Sequence, residues 1–347
     1  MKKWILIVCL LLGLAVPVGA TELTAPEAPD SALEQMPPEQ SSFGEDLWYV
    51  VTSAVRAMEP QIDACCGVCL SVMAAVMVTS LVGSFPGKAR SVTELVTAIA
   101  VSCLLFGSTQ TLISAAADTV KELSEYGKLL LPVLTTAMAA QGGVTGSTAL
   151  YAGTAVFDAL LGALISGVLV PVIYIFLALS VANAALGEDL LGKLRDFVKW
   201  LVGWCLKTIL YVFTGYIGIT GVISGTADQA AVKAAKLTIS GAVPVVGGIL
   251  SDASEAILVS AGLVKSAIGV YGLLVFLAIV IGPFLRMGVQ YLLLKLTAAV
   301  SGVFADKRTT TLIQDFSAAM GLLLAMTGTV CLLQIISTVC FMKGVSG

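Results

Sequence analysis

The stretch from Gly221 to Pro283 begins Gly221-Val-Ile-Ser-Gly225-Thr-Ala-Asp228 and later turns through Gly241-Ala-Val-Pro244-Val-Val-Gly247-Gly248. It is too apolar for a soluble loop, yet charged residues, glycines and prolines interrupt it too often for simple spanning helices. Irregular backbone of this kind is tolerated at membrane depth only where protein or a water-filled cavity covers it. The stretch therefore predicts the interior of a protein that crosses the membrane several times.

The composition of the whole chain indicates the same class. Hydrophobic residues make up 58% of the 347 residues and charged residues only 12%, whereas globular domains carry about 25% charged residues. The net charge of -3 predicts no nucleic-acid partner. The chain contains no histidine, the commonest general base and metal ligand. We therefore expect no enzyme activity, no catalytic residues, no metal site and no cofactor.

Three regions follow from the pattern along the chain. Residues 1–20 read as a signal peptide, with an uncleaved first span as the alternative, because basic residues, a short apolar core and a small-residue site follow one another. Residues 21–60 form an acidic, proline-rich extracytoplasmic segment. We expect disorder at its start and an amphipathic helix at the membrane surface from Leu47 to Met58. Residues 61–347 form a multi-span membrane domain.

The predicted fold class is an all-α polytopic integral membrane protein with about six to eight transmembrane or re-entrant helices and amphipathic interfacial helices. Residues 129–140 are too short to span and contain Pro132, so we expect a re-entrant or broken segment there. Residues 148–186 are either one helix kinked at Pro171 or two helices. The predicted apolar and amphipathic segments are 64–85, 92–117, 118–128, 188–199, 200–223, 284–303 and 312–341.

A weak internal repeat relates residues 129–224 to residues 241–341. Pro132 and Pro171 are 39 residues apart, and so are Pro244 and Pro283. Duplicated halves with broken helices are common in secondary transporters. Residue identity between the halves is low, so chance is an equally open explanation.

Basic residues predict the orientation. The clusters near Lys88, Lys193 and Lys307 belong in the cytoplasm by the positive-inside rule, and a signal peptide places the mature N-terminus outside. The alternation of spans agrees with this only if residues 148–186 and 253–303 each cross the membrane once.

The only tight cysteine group is Cys65, Cys66 and Cys69. A structural zinc site needs four ligands in tetrahedral arrangement, and this group offers three without a histidine. We favour small apolar residues packed in a helix, and the role of the three thiols stays open.

Charged residues in the central stretch are the strongest candidates for a functional surface, because ionisable groups at membrane depth are costly and usually paired or functional. The alternative is that the lysines extend to the membrane interface. The candidate polar interior or subunit-contact residues are Asp228, Lys233, Lys236, Asp252, Glu255 and Lys265. The candidate backbone-break residues are Pro132, Pro171, Gly225, Pro244, Gly247, Gly248 and Pro283.

The central motif, Gly221-Val-Ile-Ser-Gly225-Thr-Ala-Asp228 followed by Val243-Pro244-Val-Val-Gly247-Gly248, resembles the stage III sporulation protein AE family of endospore formers. The resemblance extends from about Leu129 to the C-terminus. It implies a multi-pass protein of the mother-cell membrane that surrounds the forespore. It also implies membership of a trans-envelope channel or secretion-like complex required for endospore development.

The partners implied by this resemblance are other stage III sporulation membrane proteins, a forespore-membrane partner and the lipid bilayer, with a homo-oligomer as a further arrangement. A self-contained secondary transporter or permease with a broken-helix repeat is the alternative function. The resemblance carries over no catalytic residue.

Overall fold

A computed structural model describes residues 25–38, 42–83, 89–140, 144–187, 189–219 and 267–345. Helices account for nearly all of these residues, and none of them forms a β-strand. Six helical segments are long and apolar enough to cross a membrane. The predicted all-α polytopic fold class is therefore confirmed.

The helices are labelled in chain order. Two short N-terminal helices, α1 (Asp30–Leu33) and α2 (Phe43–Ala57), precede the long ones. The long helices are α3 (Glu59–Gly83), α4 (Ala89–Ala140), α5 (Val144–Leu164), α6 (Val170–Leu186), α7 (Asp189–Ile219), α8 (Ala267–Ser301) and α9 (Lys307–Val345). A π-helical turn, Ile165–Leu169, joins α5 to α6 without interrupting the rod.

The end of the bundle that contains the junctions α3–α4, α6–α7 and α8–α9 is called the basic end. Its contacts hold the junctions together: the Ser80 hydroxyl donates to the Phe304 carbonyl over 2.6 Å, and Arg308 pairs with Glu94 over 3.5 Å. Gly187 ends α6 with φ +69°, and a side chain there would collide with the Arg308 guanidinium. Only glycine meets both demands easily.

Helix α9 is the centre of the bundle. It packs on α4, α5, α6, α7 and α8, and nearly all of its side chains are buried. Phe316, Leu323 and Leu332 are fully buried. A helix that is apolar on every face is stable only when other elements surround it, and this explains the position of α9.

The expected break at residues 129–140 is wrong. The expectation that 118–128 lies as a separate helix along a membrane face is also wrong, because α4 continues through both segments as one helix of 52 residues. Along the charged segment, Lys121 and Glu125 point outward while Val120, Leu123 and Tyr126 are buried. Beyond it, Leu130 and Leu134 are buried as well. This continuous packing outweighs the one backbone hydrogen bond that Pro132 removes.

Two further segment boundaries differ from the prediction. Residues 144–186 form one helical rod, so the two-helix alternative is excluded, and the π turn ends just before Pro171. Pro171 thus closely follows the wider π turn, a place where a continuous helix accommodates a residue that cannot donate a backbone hydrogen bond. Residues 267–301 also form one helix, which contains Pro283, rather than a new span beginning at 284. Residues 189–199 are the first turns of α7.

The N-terminal segment packs on the bundle. Residues 25–38 are ordered against it rather than disordered as expected: Ala28 and Ala32 are buried, and the Ser31 hydroxyl donates to Glu122 of α4 over 2.5 Å. Small apolar side chains and one local helix supply enough contact to offset the chain entropy. The predicted helix near Leu47–Met58 is confirmed as α2, which starts with a Ser42–Glu45 capping box and packs on α8.

Cysteine labelling can test the orientation of the bundle in the membrane, because the two ends of the bundle lie far apart. Lys193 and Lys307 lie near the basic end, whereas Lys121 lies 32 residues along α4 from Ala89, a rise of about 48 Å. That distance exceeds the hydrocarbon thickness of about 30 Å. In a background without native cysteines, we expect Lys121→Cys to react with an impermeant maleimide in intact cells. Lys193→Cys and Lys307→Cys should react only after permeabilisation, and labelling of position 193 from outside would reverse the orientation.

Candidate functional site: polar contacts around the buried helix

Three side chains from three helices meet inside the bundle and are called the polar clamp: Ser124 of α4, Asp158 of α5 and Gln334 of α9. The Ser124 hydroxyl donates to Asp158 Oδ2 over 2.7 Å, and Gln334 Nε2 donates to Asp158 Oδ1 over 2.6 Å. All three side chains are buried. Both carboxylate oxygens therefore have a partner, and α4 and α9 are tied through α5.

A second contact lies one helical turn from the polar clamp. The Ser337 hydroxyl donates to Thr154 Oγ1 over 3.0 Å, again between α9 and α5. On the other side, Gly127 of α4 faces Gln334 so closely that an added Cβ would lie 2.6 Å from Nε2. The absent side chain at Gly127 is what allows α4 and α9 to approach.

The sequence spacing explains why these residues meet. Thr154 and Asp158 are four residues apart on α5, and Gln334 and Ser337 are three apart on α9. Residues at these separations share one helix face. Since α5 and α9 run side by side, the two polar pairs face each other at two successive levels. The arrangement fixes the rotation and the height of α9 within the bundle.

An ion pair near the basic end fixes α9 a second time. Arg195 Nη1 of α7 lies 2.8 Å from Asp315 Oδ2 of α9, and the two side chains are only 12% and 10% exposed. Arg195 also bonds to Asp196 over 2.8 Å. An ion pair sequestered to this degree adds little net stability, yet losing one partner is costly. Its effect is to make a displaced α9 unfavourable.

These contacts join helices through hydrogen bonds and one buried ion pair. No group of three or more histidine, cysteine, aspartate or glutamate side chains that could hold a metal ion occurs in the described part of the chain. Cys65 and Cys66 are half-buried and Cys69 is buried, all on α3. The chemistry that the described polar side chains offer is hydrogen bonding and charge pairing between helices.

Three of the predicted site residues lie in described helices, and the others do not. Pro132 and Pro283 lie inside α4 and α8, and Pro171 begins α6 after the π turn. The others lie outside the described residues: Gly225, Asp228, Lys233, Lys236, Pro244, Gly247, Gly248, Asp252, Glu255 and Lys265.

The sequence pattern predicts neither the polar clamp nor the Arg195–Asp315 pair. One signal was present, because Asp158 is the only charged residue in the apolar run 148–186. A lone acid in such a run predicts a buried partner. Nothing in the sequence names Gln334 as that partner, since the pairing depends on how α5 and α9 are placed.

The fold and its buried polar contacts define a polytopic helical membrane protein built around one enclosed helix. The chain belongs to the stage III sporulation protein AE family, whose sequence profile spans residues 42–344. It is 21% identical over 197 residues to the stage III sporulation protein AE of Bacillus subtilis strain 168, covering 57% of this chain. The match covers 49% of that relative, about half its length. No solved structure matches the chain. The family assigns the protein a role related to sporulation.

Proposed function

We propose that this protein is a membrane subunit of a trans-envelope channel or secretion-like complex between mother cell and forespore. It would act in the mother-cell membrane that surrounds the forespore. Family membership supports the sporulation role, and the dimensions of the bundle support the trans-envelope part. The partners of this proposal are other stage III sporulation membrane proteins and a forespore-membrane protein.

The length of the bundle is the observation that carries the proposal. Helix α3 has 25 residues and would extend about 38 Å, enough to cross a bilayer. Helix α4 has 52 residues and α9 has 39, which correspond to about 78 and 58 Å. Since all three begin or end at the basic end, α4 and α9 extend well past the start of α3. This part of the bundle is called the projecting part.

The N-terminal segment packs on two of the long helices. Ser31 bonds to Glu122 of α4, and Gln35 lies against Gly282 of α8, where an added Cβ would be 3.1 Å from its Nε2. If the basic end faces the cytoplasm, the projecting part lies in the space between the two membranes. A subunit that meets a partner from the opposite membrane needs structure in that space.

The position of α9 supports a subunit over a self-contained transporter. A transporter needs a water-accessible path through its own centre, but in the described bundle α9 fills that centre with buried side chains. In a repeat relating 129–224 to 241–341, α7 and α9 would be equivalent helices. They occupy different places, because α7 is peripheral and α9 is enclosed. A conduit between subunits fits this arrangement better.

Exposed apolar side chains on α5 offer a contact surface. Val156 and Leu160 of α5 share one face and are 65% and 54% exposed in the described structure. Both residues belong to the segment Leu150–Leu186, which is long and apolar enough to cross a membrane, and this face would contact a partner subunit within the bilayer.

Purification in mild detergent tests the proposal. A tagged chain from sporulating cells should bring the other stage III membrane proteins and the forespore partner with it in one particle. The variant Val156→Arg with Leu160→Arg should reduce this recovery at unchanged thermal stability. The matched control is Val303→Arg, because Val303 is an 85% exposed apolar residue at the basic end. This variant should co-purify with the partner proteins as well as wild type does. A chain that purifies alone and accumulates a solute in liposomes would favour the transporter.

A further inference from the structure

A cleft opens on the side of the bundle near the basic end. Helices α7 and α8 both pack on α9 but hardly touch each other in the described structure, so α9 forms the floor between them. The cleft has a volume of about 680 Å³, and its polar lining includes Lys199, Lys295, Gln314 and Ser317. A second cleft of about 480 Å³ shares Lys199 and continues along α7 past Trp200, Trp204 and Lys207. The two clefts together are called the lysine cleft.

The described carboxylates offset only part of the positive charge of the lysine cleft. Asp196 and Asp315 lie nearby, but both are engaged by Arg195 at 2.8 Å. Among the described residues, no ion pair joins Lys199, Lys207 or Lys295 to an acid. Lys295 Nζ lies 5.1 Å from the centre of the Tyr291 ring, a contact that holds its charge above the cleft. Four cations, including Arg195, outnumber these two carboxylates, so the lysine cleft is a positively charged recess.

Aromatic side chains mark the membrane interface beside this recess. Phe197, Trp200 and Trp204 form a row on the outer face of α7, with ring centroids 5.9 and 6.1 Å apart. Trp200 and Trp204 are 58% and 52% exposed. Tryptophan concentrates at the level of lipid headgroups, so the three lysines and the lipid headgroups lie at similar depth.

We propose that the lysine cleft binds an anionic phospholipid of the surrounding membrane. Its phosphate would be held by Lys199 and Lys295, with Lys207 adding charge, and its acyl chains would run along the exposed aromatic row. Basic recesses between membrane helices recognise phosphate headgroups in this way. The apolar wall residues Leu296, Ala299 and Ala318 suit an acyl chain and do not suit a soluble anion. The inference stands independently of the proposed complex.

Lipid binding to the detergent-purified full chain tests the proposal by native mass spectrometry. Phosphatidylglycerol should bind at least about tenfold more tightly than phosphatidylcholine. Lys295→Gln removes an exposed charge and should weaken phosphatidylglycerol binding about fivefold. The double variant with Lys199→Gln should weaken it more than Lys295→Gln alone, because two of the cations around the phosphate are then removed. Lys121→Gln is the matched control, because Lys121 is exposed, lies on α4 and pairs with Glu125 at 3.8 Å; it should leave binding unchanged.

Three results would overturn the proposal. The first is equal affinity for phosphatidylglycerol and phosphatidylcholine. The second is wild-type binding of phosphatidylglycerol by Lys295→Gln. Because Lys295 is exposed, this substitution is not expected to unfold the protein. The third is full displacement of the lipid by glycerol phosphate or by an acidic peptide, which would assign the cleft to a soluble anion or to a protein partner. Quenching of Trp200 and Trp204 by brominated phosphatidylglycerol, lost in the double variant, should accompany a positive result.

Discussion

Replacing Asp158 with leucine is expected to lower the free energy of unfolding by about 3–5 kcal/mol, because it leaves two buried donors without an acceptor. These donors are the Ser124 hydroxyl and the Gln334 amide, on two different helices. Asp158→Asn keeps an acceptor oxygen at the same place and should lower the free energy of unfolding by only about 1 kcal/mol. The order of thermal unfolding temperatures in detergent should therefore be wild type, then Asp158→Asn, then Asp158→Leu.

The control for Asp158 is the same substitution at an exposed acid. Glu125 on α4 is 61% exposed and forms only a 3.8 Å pair with Lys121, so Glu125→Leu should change stability by less than about 1 kcal/mol. Spore yield should follow stability, with Asp158→Leu lowest. If Asp158→Leu and Glu125→Leu unfold at the same temperature, the polar clamp does not hold α9 in place.

Removing one member of the Arg195–Asp315 pair is the second change with a large expected effect. Arg195→Ala should destabilise the protein by about 3–5 kcal/mol, since it leaves a carboxylate enclosed without its partner. Replacing both residues by apolar ones of similar size, Arg195→Met with Asp315→Leu, should recover most of the loss because no charge is then left unpaired. The measurement is thermal unfolding of Arg195→Ala and of wild type, the single variants Arg195→Met and Asp315→Leu, and the double variant, the last four read as a double-mutant cycle.

The exposed ion pair between Lys121 and Glu125 provides the comparison, because its loss should change stability much less. Lys121 and Glu125 are 74% and 61% exposed, so Lys121→Ala should cost only about 0–1 kcal/mol. A double apolar variant no more stable than Arg195→Ala would contradict the interpretation of the pair. The loss would then come from the packing of the arginine stem.

The sequence predicts the class of fold well because composition alone decides it: a chain with 12% charged residues cannot be an ordinary soluble domain. Helix boundaries were predicted less well, for a physical reason. Pro132 and the charges of 118–128 are local signals for a break, yet α4 stays continuous because its other face is buried along the same length. Tertiary packing decides such cases, and it is invisible in a local pattern.

The candidate site was also predicted only in part from the sequence. Asp158 stands out in the sequence as a lone acid, but its partners Ser124 and Gln334 are 34 and 176 residues away. Serine is common in apolar helices, and no spacing rule shows that Ser124 or Gln334 faces Asp158. The prediction of charged candidates in 228–265 rests on a region outside the described residues and stays a prediction.

The enclosed position of α9 has a consequence for how the protein is made. Helices α3 to α8 precede α9 in the chain, so they leave the ribosome before the helix around which they pack exists. Until Lys307–Val345 has been synthesised, the carboxylate of Asp158 and the apolar faces of α4 and α8 lack their native partner. Co-translational assembly of this bundle therefore reaches its native packing only after the last helix has been made.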